Sequence, residues 1–210
     1  MSPSDIPQDP ALAAVLRSEF TSSEVPRDPR FDRLVAAVRE VNDSVVGAVA
    51  PPEVLDDVSR LLEQVAARLS PHRMRTDGPP SWDDLLRTAR TRILGPPLSD
   101  VTGDRDHLHA TVTFGQFYIG GNGAVHGGAI PLLFDDVLGR LSITDRPICR
   151  TAHLEVDYRR VTPVGRPLRV EARFEREEGR KRFLYGALSD GDHLCAEAHG
   201  LFIELREGAP

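Results

Sequence analysis

Residues 121–139 read GNGAVHGGAIPLLFDDVLG. A glycine-rich turn opens into a segment whose apolar residues, Ile130, Leu133, Phe134, Val137, Leu138 and then Leu141, fall at helical spacing. That stripe is wide enough to predict a buried helix. Two adjacent carboxylates, Asp135 and Asp136, nevertheless sit in its middle. A carboxylate in an apolar helix is costly unless it is paired, solvated or used in chemistry.

If the helix begins near Gly127-Gly128, Pro131 lies in its first turn, where a missing N–H breaks no intrahelical bond. The free N–H groups and the positive end of the helix dipole then favour negative charge. From the residues alone, Gly127-Gly128 is either an oxyanion hole or a tight turn against a neighbouring strand. Asp135 shares the small-residue face of the helix with Gly128, Pro131 and Gly139. That face has room for a substrate or a partner chain, although a carboxylate there also suits a structural pairing with an arginine. Asp136 lies one step round, beside Leu132 and Arg140, and reads as structural.

Geometry adds a constraint. At about 1.5 Å rise per residue, the Gly127 N–H and the Asp135 carboxylate are separated by roughly 12 Å along one helix. A donor and a base acting on one carbonyl must both lie within about 3 Å of the reacting centre. If both act, they come from two chains related by a two-fold axis, so a catalytic reading requires a dimer.

Outward from this stretch, the chain changes character near residue 100. Before it the apolar pattern is helical. Phe31, Leu34, Val35, Val38, Val41 and Val45 form one stripe entered through Pro29, and Leu55, Val58, Leu61, Leu62, Val65 and Leu69 form a second entered through Pro51-Pro52. Ser81–Leu94 reads as a third helix, with Ser81 as N-cap and Asp84 at the capping-box position. After residue 100 the period becomes two. Leu108, Ala110, Val112 and Phe114 alternate, as do Leu154, Val156 and Tyr158, and Leu168, Val170, Ala172 and Phe174. Residues 177–181 (EEGRK) turn into a segment marked by Phe183 and Tyr185, Asp190-Gly191 forms a tight hairpin turn, and a last strand runs over about residues 193–205. The expectation is an α+β fold, an antiparallel sheet with one long helix covering a face, over residues 100–206, preceded by a helical extension over residues 1–99.

Bulk properties exclude several classes. The 210 residues carry a formal net charge of −6 and no long basic stripe, which speaks against a nucleic-acid partner. The two cysteines, Cys149 and Cys195, make neither a disulfide framework nor, without a CxxC or a histidine cluster, a metal site. No run approaches the roughly 18 apolar residues of a membrane span, and the acidic, proline-rich start lacks the features of a leader. These features suggest a cytoplasmic protein.

His126-Gly127-Gly128, six intervening residues, Asp135 and Gly139 resemble the hotdog-fold acyl-CoA thioesterases of the PaaI-like group, in particular the branch of the human thioesterase superfamily members four and five. The resemblance continues through RTAHLEVDYRRVTPVGRPLRVEARF (residues 150–174), EGRKRFL (178–184) and AEAHGLFIEL (196–205). It implies a five- or six-stranded sheet wrapped around a central helix, and a homodimer or dimer of dimers with its active sites at the interface. It also implies hydrolysis of an acyl-CoA thioester, with no metal or redox cofactor, coenzyme A being part of the substrate. Carried over by position, Asp135 matches the general base or nucleophile, Gly127 the backbone donor to the thioester oxygen, and Thr151 the hydroxyl that positions water or the carboxylate. His126 matches a loop-supporting ring, with Gly128 beside it at the substrate.

Many relatives have an asparagine six residues before the HGG histidine. Here that position is Gly120, and the nearest asparagine is Asn122. The basic residues Arg159, Arg160, Arg180, Lys181 and Arg182 are candidates for the phosphates of coenzyme A, with the turn Arg180–Arg182 favoured. The alternative function is a non-catalytic acyl-CoA or lipid-binding hotdog protein, for which Asp135 would be dispensable. A dehydratase is disfavoured, because those enzymes pair a catalytic histidine with a carboxylate in other motifs.

Overall fold

The computed structural model describes residues 29–72 and 91–206. Within the second segment, six strands form one antiparallel sheet: β1 (Leu98–Gly103), β2 (His107–Thr113), β3 (Cys149–Tyr158), β4 (Pro167–Glu178), β5 (Lys181–Asp190) and β6 (His193–Glu204). Their spatial order is β1-β2-β4-β5-β6-β3. The last four strands in sequence thus form a meander, β4-β5-β6, with β3 added at the far edge.

Two hairpins fix the register of the meander. Glu178 pairs with Lys181 across Gly179 and Arg180, and Asp190 pairs with His193 across Gly191 and Asp192. Gly179 and Gly191 both have positive φ, as primed two-residue turns require.

The sequence-predicted helix is present as Ala129–Ile143 and lies on the inner face of this sheet. Its residues Ile130, Leu133, Phe134, Val137, Leu138 and Leu141 are buried against alternating strand residues, among them Leu108, Val112, Val170, Leu184 and Leu188. Close seating of helix on sheet depends on Gly186. A Cβ there would lie 2.9 Å from Cδ1 of Phe134, inside contact distance.

Two features depart from expectation. β1 begins at Leu98 and adds an outer strand where only Leu98 and Val101 are half-buried. An edge strand with one open side needs few apolar residues, so its alternation is weak. On β5 the core phase is carried by Arg182, Leu184, Gly186 and Leu188. Phe183 and Tyr185 take the outer face, beneath the guanidinium groups of Arg176 and Arg173.

The described residues of the N-terminal part hold two long helices, α1 (Pro29–Gly47) and α2 (Pro52–Leu69), both entered through proline as the sequence predicts. With these labels the helix Ala129–Ile143 is α3. Only Val35 of α1 is buried, and the whole apolar stripe of α2 is exposed. α1 packs on the turn Gln116–Tyr118. The capping pair Ser81 and Asp84 lies outside the described residues, which take up the predicted third helix only in its final turn, Thr91–Leu94.

Candidate active site

The small-residue face of α3 is the side the sheet covers least: Gly128 and Asp135 are exposed there, and Pro131 and Gly139 are half-buried. Asp135 is exposed in the single chain. The cost of a carboxylate in an apolar helix is therefore avoided by placement: the helix is buried, and Asp135 is on its open side. Thr151 on β3 donates its hydroxyl hydrogen to Asp135 Oδ1 at 2.8 Å. Asp136 instead forms an ion pair one turn along its own helix, with Arg140 Nη2 3.1 Å from Oδ2. The two adjacent carboxylates thus have separate environments: only Asp135 is exposed, with one oxygen unpartnered among the described residues.

Thr151 reaches Asp135 because β3 is irregular. Its pairing with β6 shifts between Thr151 and His153, and an extra residue in a strand reverses which face the following side chains occupy. Thr151 thereby joins Leu154, Val156 and Tyr158 on the helix side. Tyr158 donates its phenolic hydrogen to the carbonyl oxygen of Gly127 at 2.7 Å. One strand thus holds the carboxylate at one end and the glycine peptide at the other.

At the start of α3, the Gly128 N–H donates to Nδ1 of His126 at 3.0 Å. The histidine ring caps the turn. This bond requires an unprotonated Nδ1. Gly128 N–H is thereby occupied, whereas the Gly127 N–H has no partner among the described residues and its residue is exposed. Of the two glycines, Gly127 is the one whose donor remains available to a ligand.

The loop before it explains the missing asparagine. A Cβ on Gly120 would lie 2.8 Å from Cα of His126, so this loop is folded too tightly for a side chain at that position. Asn122 sits at the exposed tip of the loop with φ of 57°, in the left-handed region that asparagine tolerates.

The basic residues divide. Arg180 and Lys181 are exposed in the β4–β5 turn, and Arg180 donates to the backbone oxygen of Glu204 at 2.9 Å. Arg182 corrects the sequence expectation. It is fully buried, donating to the backbone oxygens of Ser142 and Pro147 and to the carboxylates of Glu204 and Glu177. Its guanidinium ties the C-terminal end of α3 to the sheet and cannot meet a phosphate. Arg159 is likewise engaged, by Glu197 and Asp157.

Sequence reasoning assigned no role to Tyr158, although its position at the end of the β3 motif was a signal. It gave none to Arg39 and Asp43 of α1 either. Nothing local marks those two, because their partners lie far along the chain. Among the described residues no group of three or more histidine, cysteine or carboxylate side chains is arranged to hold a metal, and no helix is long and apolar enough to cross a membrane.

Comparison with known proteins bears on the fold and the family. Residues 122–197 match the model of the Thioesterase superfamily. Acyl-coenzyme A thioesterase THEM4 of Rattus norvegicus is 33% identical over 90 residues, covering 42% of this chain and 39% of that protein. The Xenopus laevis protein of the same name is 33% identical over 93 residues, covering 43% of this chain and 42% of its own. The chain thus spans about two fifths of the length of the curated relatives it matches. A solved thioesterase superfamily protein superimposes with a TM-score of 0.69 at 27% identity, covering 86% of this chain and 94% of that one. Coverage on that scale exceeds what the sheet and α3 supply and extends into the helical N-terminal part. The Escherichia coli PaaI protein, at 15% identity, 56% and 85% coverage and a TM-score of 0.50, shares the fold. Residues 122–197 are thus similar to the Thioesterase superfamily, and the sheet wrapped on α3 has the hotdog fold.

Proposed function

We propose that the protein is an acyl-CoA thioesterase that hydrolyses the thioester to a free acid and coenzyme A. The observation that carries this reading is the Thr151–Asp135 hydrogen bond on the side of α3 that the sheet covers least, which leaves one carboxylate oxygen unpartnered among the described residues. The unpartnered Gly127 N–H at the head of the same helix is the natural donor to the thioester oxygen.

Thr151 fixes Asp135 by one oxygen. The other accepts a proton from water while the water oxygen bonds to the thioester carbon. The carbonyl oxygen becomes an oxyanion against the Gly127 N–H. Collapse of that intermediate breaks the carbon–sulfur bond, and the departing sulfur takes the proton from Asp135. Direct attack by the free carboxylate oxygen, giving an anhydride that water then opens, uses the same contacts.

The roughly 12 Å between Gly127 and Asp135 of one chain supports taking the donor from the partner chain of a homodimer, which can further pair as a dimer of dimers. Both groups lie beside the open edge of β3, where a second copy would approach. His126 and Gly128 shape the mouth of the site with Asn122 at the loop tip, and Arg160, Arg180 and Lys181 are the candidate basic groups left for the phosphates of coenzyme A. No metal or redox cofactor enters either route.

The test compares wild type with Asp135→Asn for thiol release from short, aromatic and long acyl-CoAs. Asparagine keeps the shape but accepts no proton, so kcat is expected to fall by about two orders of magnitude or more while acyl-CoA still binds. If wild type and variant are both inactive yet bind acyl-CoA equally, the protein is an acyl-CoA-binding hotdog protein instead.

A further inference from the structure

The loop that presents Gly127 is capped from outside the hotdog domain. Its base is the single turn Gln116–Tyr118, preceded by Gly115 at the N-cap position. Such a turn normally takes a side-chain oxygen from its own N-cap residue onto the free N–H of N2 or N3, and glycine has none. Instead Asp43 of α1, 74 residues earlier, accepts the Phe117 N–H on Oδ1 at 2.7 Å. The carboxylate occupies the space a side chain at Gly115 would need. A Cβ there would lie 2.6 Å from Asp43 Oδ1 and nearer still to Oδ2.

Arg39, one helical turn before Asp43, secures the same helix. It donates to the backbone oxygen of Gly95 at 2.8 Å, with Nη1 3.5 Å from the Tyr118 hydroxyl. From this capped turn the chain folds back as a small hairpin. Ile119 pairs with Val125, the Gly120 N–H donates to Ala124, and the His126 N–H donates to the Tyr118 carbonyl at 2.7 Å. Gly127 is the next residue. The position of its N–H is thus set by a hairpin whose base depends on α1.

We propose that Asp43 is a positioning residue for the reaction: by capping the Gln116–Tyr118 turn from α1, it holds the Gly120–His126 hairpin in the register that presents the Gly127 N–H. The helical N-terminal part then tunes the oxyanion donor of the hotdog domain. This rests on the reading of Gly127 as thioester donor. A misplaced donor weakens transition-state stabilisation more than substrate binding, so the effect belongs in kcat.

The test uses the full chain with Asp43→Ala, Asp43→Asn, Gly115→Ala and the double variant Asp43→Ala/Gly115→Ala. Two readouts are taken: kcat and KM for acyl-CoA hydrolysis, and amide hydrogen exchange at His126. Asp43→Ala removes the cap, and Gly115→Ala expels it while leaving Asp43 in the sequence. Each is expected to lower kcat about ten- to hundredfold with KM near wild type, and to speed exchange at His126. The double variant is expected to be no worse than the poorer single one, since both remove one contact. Asp43→Asn keeps the accepting oxygen and is expected to restore both readouts.

A kcat for Asp43→Ala within twofold of wild type, or an Asp43→Asn variant as impaired as Asp43→Ala, overturns the proposal. Unchanged exchange at His126 in Asp43→Ala overturns it even if wild type hydrolyses nothing. Absence of hydrolysis by wild type, with exchange responding as expected, counts against the thioesterase reading and leaves the cap intact.

Discussion

Asp135 and Asp136 differ by one step of a helix, about 100°, and that step separates an exposed carboxylate held by Thr151 from one tied to Arg140. Thr151 on β3 holds Asp135, while Tyr158 farther along the same strand holds the Gly127 peptide. Replacing Thr151 with valine keeps the branched shape and removes the donor to Asp135. The expected outcome is a fall in kcat of about tenfold, the scale of a lost hydrogen bond to a charged group, read by steady-state kinetics with KM as control. Tyr158→Phe removes the donor to the Gly127 carbonyl and leaves the ring. A loss of about threefold to tenfold in kcat is expected, since the lost bond is neutral and partly solvated. The HGG motif and its spacing to Asp135 were legible in the sequence. Tyr158 was not, because its role depends on a strand bulge that places residues 151 and 158 on the same face, and odd-to-even parity along a strand predicts opposite faces.

At the scale of the elements, α3, β2 and β4 were legible because each is covered on one side and open or paired on the other, which writes a clean period into the sequence. β5 was harder. Its core phase contains Arg182 and Gly186, two residues that a hydrophobicity pattern scores as outward, while Phe183 and Tyr185 advertise the wrong face. Gly186 earns its place by space alone. Gly186→Ala would put a methyl group against the Phe134 ring, and the expected destabilisation is about 1–3 kcal/mol, the range for overpacking a filled core, measured as a lower denaturant midpoint with an unchanged slope.

For the molecule as a whole, Arg182 is the joint between layers, linking the end of α3 to β4 and to Glu204 of β6. Arg182→Ala leaves two carboxylates and two backbone oxygens without their donor. It is expected to cost about 3 kcal/mol by equilibrium unfolding, well beyond what loss of a surface arginine would produce.

On the outer face of the sheet, Tyr185, Glu197 and Arg159 form a second network. Burial, and then the hydrogen bond to Glu197 and its charge, push the Tyr185 phenol up to about 12. The hydrogen bonds from Tyr185 and Arg159 hold the Glu197 carboxyl below the ordinary range. The signs are opposite. The Tyr185 contribution to stability is complete below the unfolded phenol value near pH 10 and is lost between there and about pH 12. The Glu197 contribution is complete above the unfolded carboxyl value near pH 4.5 and is lost as pH falls through its lower folded value. The ultraviolet titration of wild type minus Tyr185→Phe should therefore show a phenol ionising near pH 12, and the stability difference between the two should vanish at that alkaline end.

By itself the sequence determined the fold class, the placement of α3 and most strands, and the spacing from His126-Gly127-Gly128 to Asp135. All of these are local patterns: periodicities, turn residues and a fixed motif spacing, in which each residue's neighbours in the chain are also its neighbours in the structure. Only the tertiary structure decided that Asp135 lies on the side of its helix that the sheet covers least, that Arg182 is a buried tie and no phosphate ligand, and that the loop before Gly127 is capped by Asp43. Those facts depend on contacts between residues 16 to 74 positions apart, and on whether a side chain's polar atoms are already satisfied. Neither leaves a period in the sequence, because an arginine or an aspartate is written the same way whether it meets water, a substrate or the end of a helix.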